Sequence, residues 1–156
     1  MKTLLILYLL TSISTFAAEL HFSDMEDGDR VEVTLHSTGC FHNSISYYEA
    51  RKSRGTFFFT EYAITWDKKL PSQIAQKKVV AELQLAPKDI DALDGLLRYF
   101  RAKREGSSTT QISLLVEYYE GGRPVKVEQL YDGSGGYGDQ NKDMTAFYQL
   151  TSRLHP

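Results

Sequence analysis

Along Val31 to His36 the residues alternate, with Val31, Val33 and Leu35 apolar and Glu32, Thr34 and His36 polar, the period of a half-buried strand. Ile45 to Ala50 and Thr56 to Thr65 are rich in aromatic and β-branched residues and predict two further strands. The polar Arg51-Lys52-Ser53-Arg54-Gly55 between them reads as a hairpin tip, and Ser37-Thr38-Gly39 as a turn. A loop is expected from Asp67 to Ser72 and a short strand from Lys78 to Leu85. The period then changes. Ile90, Leu93, Leu96, Leu97 and Phe100 recur at helical spacing behind Pro87, with Asp89 and Asp91 where the helix dipole favours negative charge. Arg101, Lys103 and Arg104 fill the last turn, Gly106 can end it, and Arg101 falls on the side away from the apolar stripe. Ile112 to Tyr119 and Val125 to Tyr131, joined by Glu120-Gly121-Gly122-Arg123-Pro124, predict a second hairpin. Asp139 or Asn141 can cap a terminal helix that turns Met144, Phe147, Tyr148, Thr151 and Leu154 inward. Runs of strands followed by helices imply an α+β fold, a mainly antiparallel sheet of about five to six strands with two helices packed on one face.

The first residues do not belong to this pattern. Lys2 precedes an apolar run from Leu4 to Leu10, and the small pair Ala17-Ala18 follows, the form of a secretory signal peptide. Cutting after Ala17 leaves Thr15 and Ala17 at the −3 and −1 positions, whereas cutting after Ala18 would place bulky Phe16 at −3. The expected organisation is a leader over residues 1–17, an acidic lead-in over 18–29 and a single α+β domain over 30–156. The apolar run is well short of the roughly 20 residues that a spanning helix needs, so the chain is expected to be secreted or periplasmic, with no stable membrane insertion after cleavage.

Composition narrows the function classes. The 156 residues are 42% hydrophobic and 24% charged, as in a globular domain, and 18 basic against 20 acidic residues leave a net charge of −2. That balance argues against nucleic acid as partner. One cysteine excludes an internal disulfide framework and a CxxC pair; with that thiol buried beside Phe41 and Ile45 rather than bridging to another chain, a monomer is expected.

Chemistry-bearing residues concentrate in two places. In His36-Ser37-Thr38-Gly39-Cys40-Phe41-His42, the donors His36, Cys40 and His42 could converge on a metal if the chain reverses at Gly39. The spacing is not a standard one, and the remaining candidates lie far off: His21 and His155 near the ends, and Met25 or Met144 as an axial ligand. Cys40 and His42 could also form a nucleophilic pair, though only across a bend. The alternative is a Cys40 buried as a small apolar residue among ordinary surface histidines. The second place is the glycine-rich stretch from Asp132 to Asp143. Asp139-x-Asn141-x-Asp143 copies the opening of an EF-hand loop, with Asp132 nearby, but Met144 stands at the glycine position and Leu150 at the bidentate glutamate position. No cofactor is expected. Arg51, Lys52 and Arg54 could face an anionic surface, and Tyr47, Tyr48, Tyr62, Tyr118, Tyr119 and Tyr131 fall on strands whose alternate members must face away from the core.

Val31-Glu32-Val33-Thr34-Leu35 running into Cys40-Phe41-His42-Asn43-Ser44-Ile45-Ser46-Tyr47, then a basic turn and a Thr/Phe-rich strand, resembles a small bacterial exported domain of unknown function over residues 30–65. The opening of that family reads Cys-Phe-Gly-x-Cys-Pro-x-Tyr. Cys40, Phe41 and Tyr47 match it, while His42 replaces the glycine, Ser44 the second cysteine and Ile45 the proline. The resemblance implies export and this fold; it brings no activity, and the loss of the second cysteine removes a local dithiol.

Two functions follow as expectations. The favoured one is an exported, non-enzymatic domain that binds an extracytoplasmic ligand or protein through its sheet face or loops; the other is a small metal-binding or thiol-dependent protein centred on Cys40 and its flanking histidines. Export is checked by intact-mass measurement of the exported protein, with the N-terminus expected at Ala18; Met1 retained on a membrane-bound product would refute it.

Overall fold

The alternating segments form six strands in the computed structural model, which describes residues 19–66, 74–102, 109–133 and 141–156. They are β1 (Arg30–Gly39), β2 (His42–Ser53), β3 (Thr56–Trp66), β4 (Ile74–Gln84), β5 (Gln111–Glu120) and β6 (Arg123–Asp132). All pair antiparallel, in the order β4-β3-β2-β1-β5-β6. Helix α1 (Pro87–Arg101) follows β4 and α2 (Lys142–Ser152) follows β6. This is the α+β architecture that the patterning implies.

Turn chemistry sets where the strands stop. Arg54 and Gly55 adopt φ of 52° and 73°, and Gly121 and Gly122 adopt 53° and 84°, the left-handed pairs that two-residue hairpins use because they match strand twist. The β2–β3 tip is therefore Arg54-Gly55 alone, and Arg51 and Lys52 belong to β2. The β1–β2 turn lies at Cys40-Phe41 rather than at Ser37-Thr38-Gly39, because polar pairs carry the ladder onward: Ser37 opposite Ser44, Thr38 opposite Asn43 and Gly39 opposite His42. β4 starts at Ile74, four residues earlier than expected, and the expected loop at Asp67 to Ser72 and helix stop at Gly106 lie outside the described residues.

One face of the sheet carries the core. Val31 and Val33 of β1 sit beside Ala50 and Tyr48 of β2 and beside Tyr118 and Val116 of β5, and Phe59 continues the layer on β3. Both helices cover this face. α1 buries Ala92, Leu93, Leu96, Leu97, Tyr99 and Phe100, and α2 buries Met144, Phe147 and Leu150. Pro87 opens α1, and the Asp89 carboxylate reaches back to the Ala86 N–H at 2.9 Å. Asn141, not Asp139, caps α2, its Oδ1 accepting from the backbone of Asp143 and Met144. The helices meet closely at Gly95, where a Cβ would come within 3.2 Å of Asp143 Oδ1.

Three sequence expectations change here. The acidic lead-in is part of the packed unit, which does not begin at Arg30: Leu20, Phe22 and Met25 are buried in the core despite their charged neighbours. Phe22 N donates to Asp94 Oδ1 at 2.6 Å, and Lys52 Nζ donates to the Met25 carbonyl at 2.7 Å. Arg101, expected on the surface, forks onto Glu128 of β6 at 2.9 Å through both Nε and Nη2 and also donates to the Leu20 carbonyl at 2.8 Å. Tyr148, expected inward, is exposed.

Phe22→Ala should therefore destabilise the fold by about 3–5 kcal/mol, as for a fully buried aromatic. Arg101→Ala should cost about 1–3 kcal/mol from its charged hydrogen bonds. Denaturant melts check both; a lead-in that lies loosely on the surface would make the first substitution neutral.

Candidate functional site on the helix-free sheet face

The face opposite the helices is built by the residues that alternate with the core. Glu32 of β1 lies opposite Glu49 of β2 and Glu117 of β5, and Glu49 lies opposite Thr60 of β3, which faces Glu82 of β4. Four glutamates thus share one rung across the sheet. The next rung holds Arg30, Arg51, Tyr119 and Phe58; on the other side lie Thr34, Tyr47, Leu115, Tyr62 and Val79. Like charges directly opposite one another repel, so this rung persists only with compensation from its neighbours.

Glu32 is the centre of that compensation. It is only 7% exposed and Tyr47 only 2%, on a face without a helix, so long side chains close over them. The Tyr47 hydroxyl donates to Glu32 Oε2, while Lys77 Nζ donates to Glu32 Oε1 at 3.0 Å and to the Tyr47 hydroxyl. Arg30 Nε is 3.5 Å from Glu32 Oε1, and its guanidinium lies 4.1 Å from the centre of the Tyr119 ring. On a flat sheet three strand spacings would part β4 from β1 by about 14 Å. Lys77 and Glu32 close that distance above Tyr47, whose ring centre is 4.3 Å from the ammonium. Outside this knot, Arg51 pairs with Glu82 at 3.1 Å and lies over Phe58, and Thr60 donates to Glu82 at 2.8 Å.

The electrostatics make the tyrosines proton donors. Burial first, then the Glu32 carboxylate to which it donates, push the Tyr47 hydroxyl far above the ordinary tyrosine range. Burial also raises Tyr62, with Glu49 adding to it, and Tyr119, with Glu32 adding to it. These phenols stay protonated at neutral pH and cannot serve there as bases.

The residues singled out from the sequence lie elsewhere, and they do not converge. Cys40 is exposed at the β1–β2 tip beside a fully exposed Phe41, so it is not buried as a small apolar residue: a two-residue turn projecting from the sheet has no core to enter. His36 falls on the helix-free face, its Nε2 hydrogen-bonded to Asn43 Oδ1 at 2.7 Å. His42, opposite Gly39, falls on the other face, with Nε2 2.9 Å from the Ser37 hydroxyl. Met25 and Met144 are in the core, and His155 pairs with Glu61 at 2.6 Å. Of the calcium candidates, Asp132 is buried and accepts from the Tyr99 hydroxyl at 2.7 Å, and Asn141 caps α2. Asp143 is forked by Arg98 at 2.9 and 3.1 Å, which holds its carboxyl below the usual range, and Asp139 lies outside the described residues. Among the described residues no group of three or more His, Cys, Asp or Glu is placed to hold a metal ion.

Sequence reasoning missed the Glu32, Tyr47 and Lys77 knot. The signal was present as a repeated local pattern, a glutamate between two core-facing residues in Val31-Glu32-Val33, Tyr48-Glu49-Ala50, Ala81-Glu82-Leu83 and Val116-Glu117-Tyr118. No known protein family, characterised protein or solved structure matches the chain, so its site rests on this geometry.

Two outcomes follow. A thiol reagent should label Cys40 in the folded protein at a rate close to that after denaturation; strong protection on folding would contradict its exposure. Below the ordinary tyrosine value of 10.0 both folded and unfolded chains hold the Tyr47 proton. As pH rises above it, the unfolded chain releases that proton while the folded one keeps it, so stability falls. Tyr47→Phe should flatten this alkaline loss in melts run between about pH 9 and 11; an unchanged slope would show that Tyr47 carries no such linkage.

Proposed function

We propose that this chain is an exported, non-enzymatic binding module that recognises an extracytoplasmic ligand or protein through the helix-free face of its sheet. One observation carries the reading. Of nine large apolar side chains that stay exposed among the described residues, five fall on this face: Ile45, Trp66, Val79, Val127 and Tyr131. They flank the charged rungs, so the face offers apolar contact area around a fixed polar centre. Exposed aromatic and apolar residues clustered on one face are a feature of recognition surfaces.

Three further features support binding over catalysis. Both oxygens of Glu32 are engaged by donors, which leaves an organised network rather than a free acid or base. Tyr47 holds its proton. Cys40 and the flanking histidines, the basis of the thiol-dependent alternative, point apart, and only the exposure of Cys40 still favours that alternative. The leader supports export, and no helix among the described residues is long and apolar enough to cross a membrane. The near balance of charge remains the argument against nucleic acid.

Trp66, the single tryptophan, stands on the proposed face and reports on it directly. Titration with oligosaccharides, peptides and solubilised envelope components should give a saturable change in its emission for the recognised class. Ile45→Lys and Val79→Lys should weaken that binding at least about fivefold, the consequence of losing about 1 kcal/mol at an interface. Tyr148→Ser on α2 should leave it unchanged. Binding that is lost with Tyr148→Ser but tolerates both lysine substitutions would overturn the assignment of this face.

A further inference from the structure

We propose that the outer edge of β6 pairs antiparallel with β6 of a second copy of this chain, about a twofold axis through Gln129, joining two six-stranded sheets into one. β6 ends the strand order and packs against β5 and α1, so the backbone groups along its outer side have no strand within the described fold. Such an edge is a template for another strand unless it is blunted. The other terminal strand, β4, is blunted. It carries Lys77-Lys78, and its pairing with β3 is broken in two places, at Glu61/Tyr62 and at Thr65/Trp66. On β6, Pro124 and the register break at Tyr118/Tyr119 affect only the first residues, and pairing with β5 runs unbroken from Lys126 to Asp132.

The exposed residues of that unbroken stretch determine the partner. Val127 is 58% and Tyr131 59% exposed, both on the helix-free face with Gln129 midway between them. An axis at Gln129 sets Val127 opposite the partner's Tyr131 and Tyr131 opposite the partner's Val127, an aromatic and β-branched pair made twice. It sets Glu128 against the partner's Leu130, so no like charges face each other across the axis. An axis one residue earlier would put Glu128 opposite the partner's Glu128, where like charges repel. An axis at Val127 would draw the break near Pro124 into the ladder and leave Tyr131 outside it. The spacing of Val127 and Tyr131 about Gln129, with Glu128 kept from its own copy, therefore favours this register with a copy of itself.

Seven residues from each strand make an interface at the small end of the usual range, so the dimer is reversible and its population follows concentration. It replaces the monomer expected from a buried Cys40, and because no bridge is needed it still migrates as one chain on denaturing gels. The axis stands perpendicular to the sheet, so both helix-free faces come to lie on one side as a continuous surface. The proposal does not depend on the ligand reading of that face.

The chain carrying Cys40→Ser, which prevents adventitious bridging, should rise from one-chain to two-chain mass in sedimentation equilibrium as concentration increases. Val127→Lys should hold it at one-chain mass over the same range with an unchanged thermal melt, and Val79→Lys on β4 should leave the dimer intact. In the same background Gln129→Cys should give a disulfide-linked dimer on oxidation, and Val79→Cys should not. A one-chain mass at the highest soluble concentration, a dimer indifferent to Val127→Lys, or cross-linking at 79 and not at 129 would each overturn the proposal.

Discussion

The Glu32 carboxylate is held on a sheet face that no helix covers, with its two oxygens closed by Tyr47, Lys77 and Arg30. A buried charge is tolerated only while its partners stay in place, since losing one leaves it uncompensated. Those partners come from separate strands: Tyr47 from β2, Lys77 from the terminal strand β4, and Arg30 from β1 itself. The knot therefore ties the β4 end of the sheet to its centre, and it holds side by side the like-charged residues on β2, β1 and β5 that would otherwise push the strands apart.

The opposite face is held by a different logic. There the apolar alternation of the strands meets two helices, and the chain's first described residues complete the layer with Leu20, Phe22 and Met25. Arg101 joins the parts, since one guanidinium links the end of α1, the Glu128 carboxylate of β6 and the Leu20 carbonyl. A residue that looks like a surface charge at a helix end thus connects the lead-in to the last strand. Its role follows from where β6 runs, which local sequence does not reveal.

The difference between the two faces is why the proposed recognition falls on the side without helices. The helical side uses its apolar residues for the core, whereas the other side keeps several exposed around a polar centre whose tyrosines are fixed as donors. On that proposal Ile45, Trp66, Val79, Val127 and Tyr131, all exposed, would supply contact area and the charged rungs directional hydrogen bonding. The edge of β6 extends the same principle, because Val127 and Tyr131 stand both on this face and at the limit of the sheet.

Local sequence determined which segments form strands and helices and, in β1, which residues face the core, because alternation and helical periodicity are properties of neighbours in the chain; it misplaced the β1–β2 turn and the start of β4. It also identified Pro87 as the start of α1 and allowed Asn141 as a cap of α2. It did not reveal the site. Glu32, Glu49, Glu82 and Glu117 each read alone as an outward polar residue between two core residues, and only pairing register, set by the β1–β2 turn at Cys40-Phe41, the β2–β3 turn at Arg54-Gly55, the long-range β1–β5 pairing and the break in the β4 ladder at Glu61/Tyr62, places them on one rung. The same register parts His36 from His42 across the hairpin, although seven residues in sequence contain both and Cys40 between them. Whether donors converge is decided by which strands lie side by side, and that depends on contacts between residues far apart in the chain, of which Lys77 with Glu32 is the plainest case.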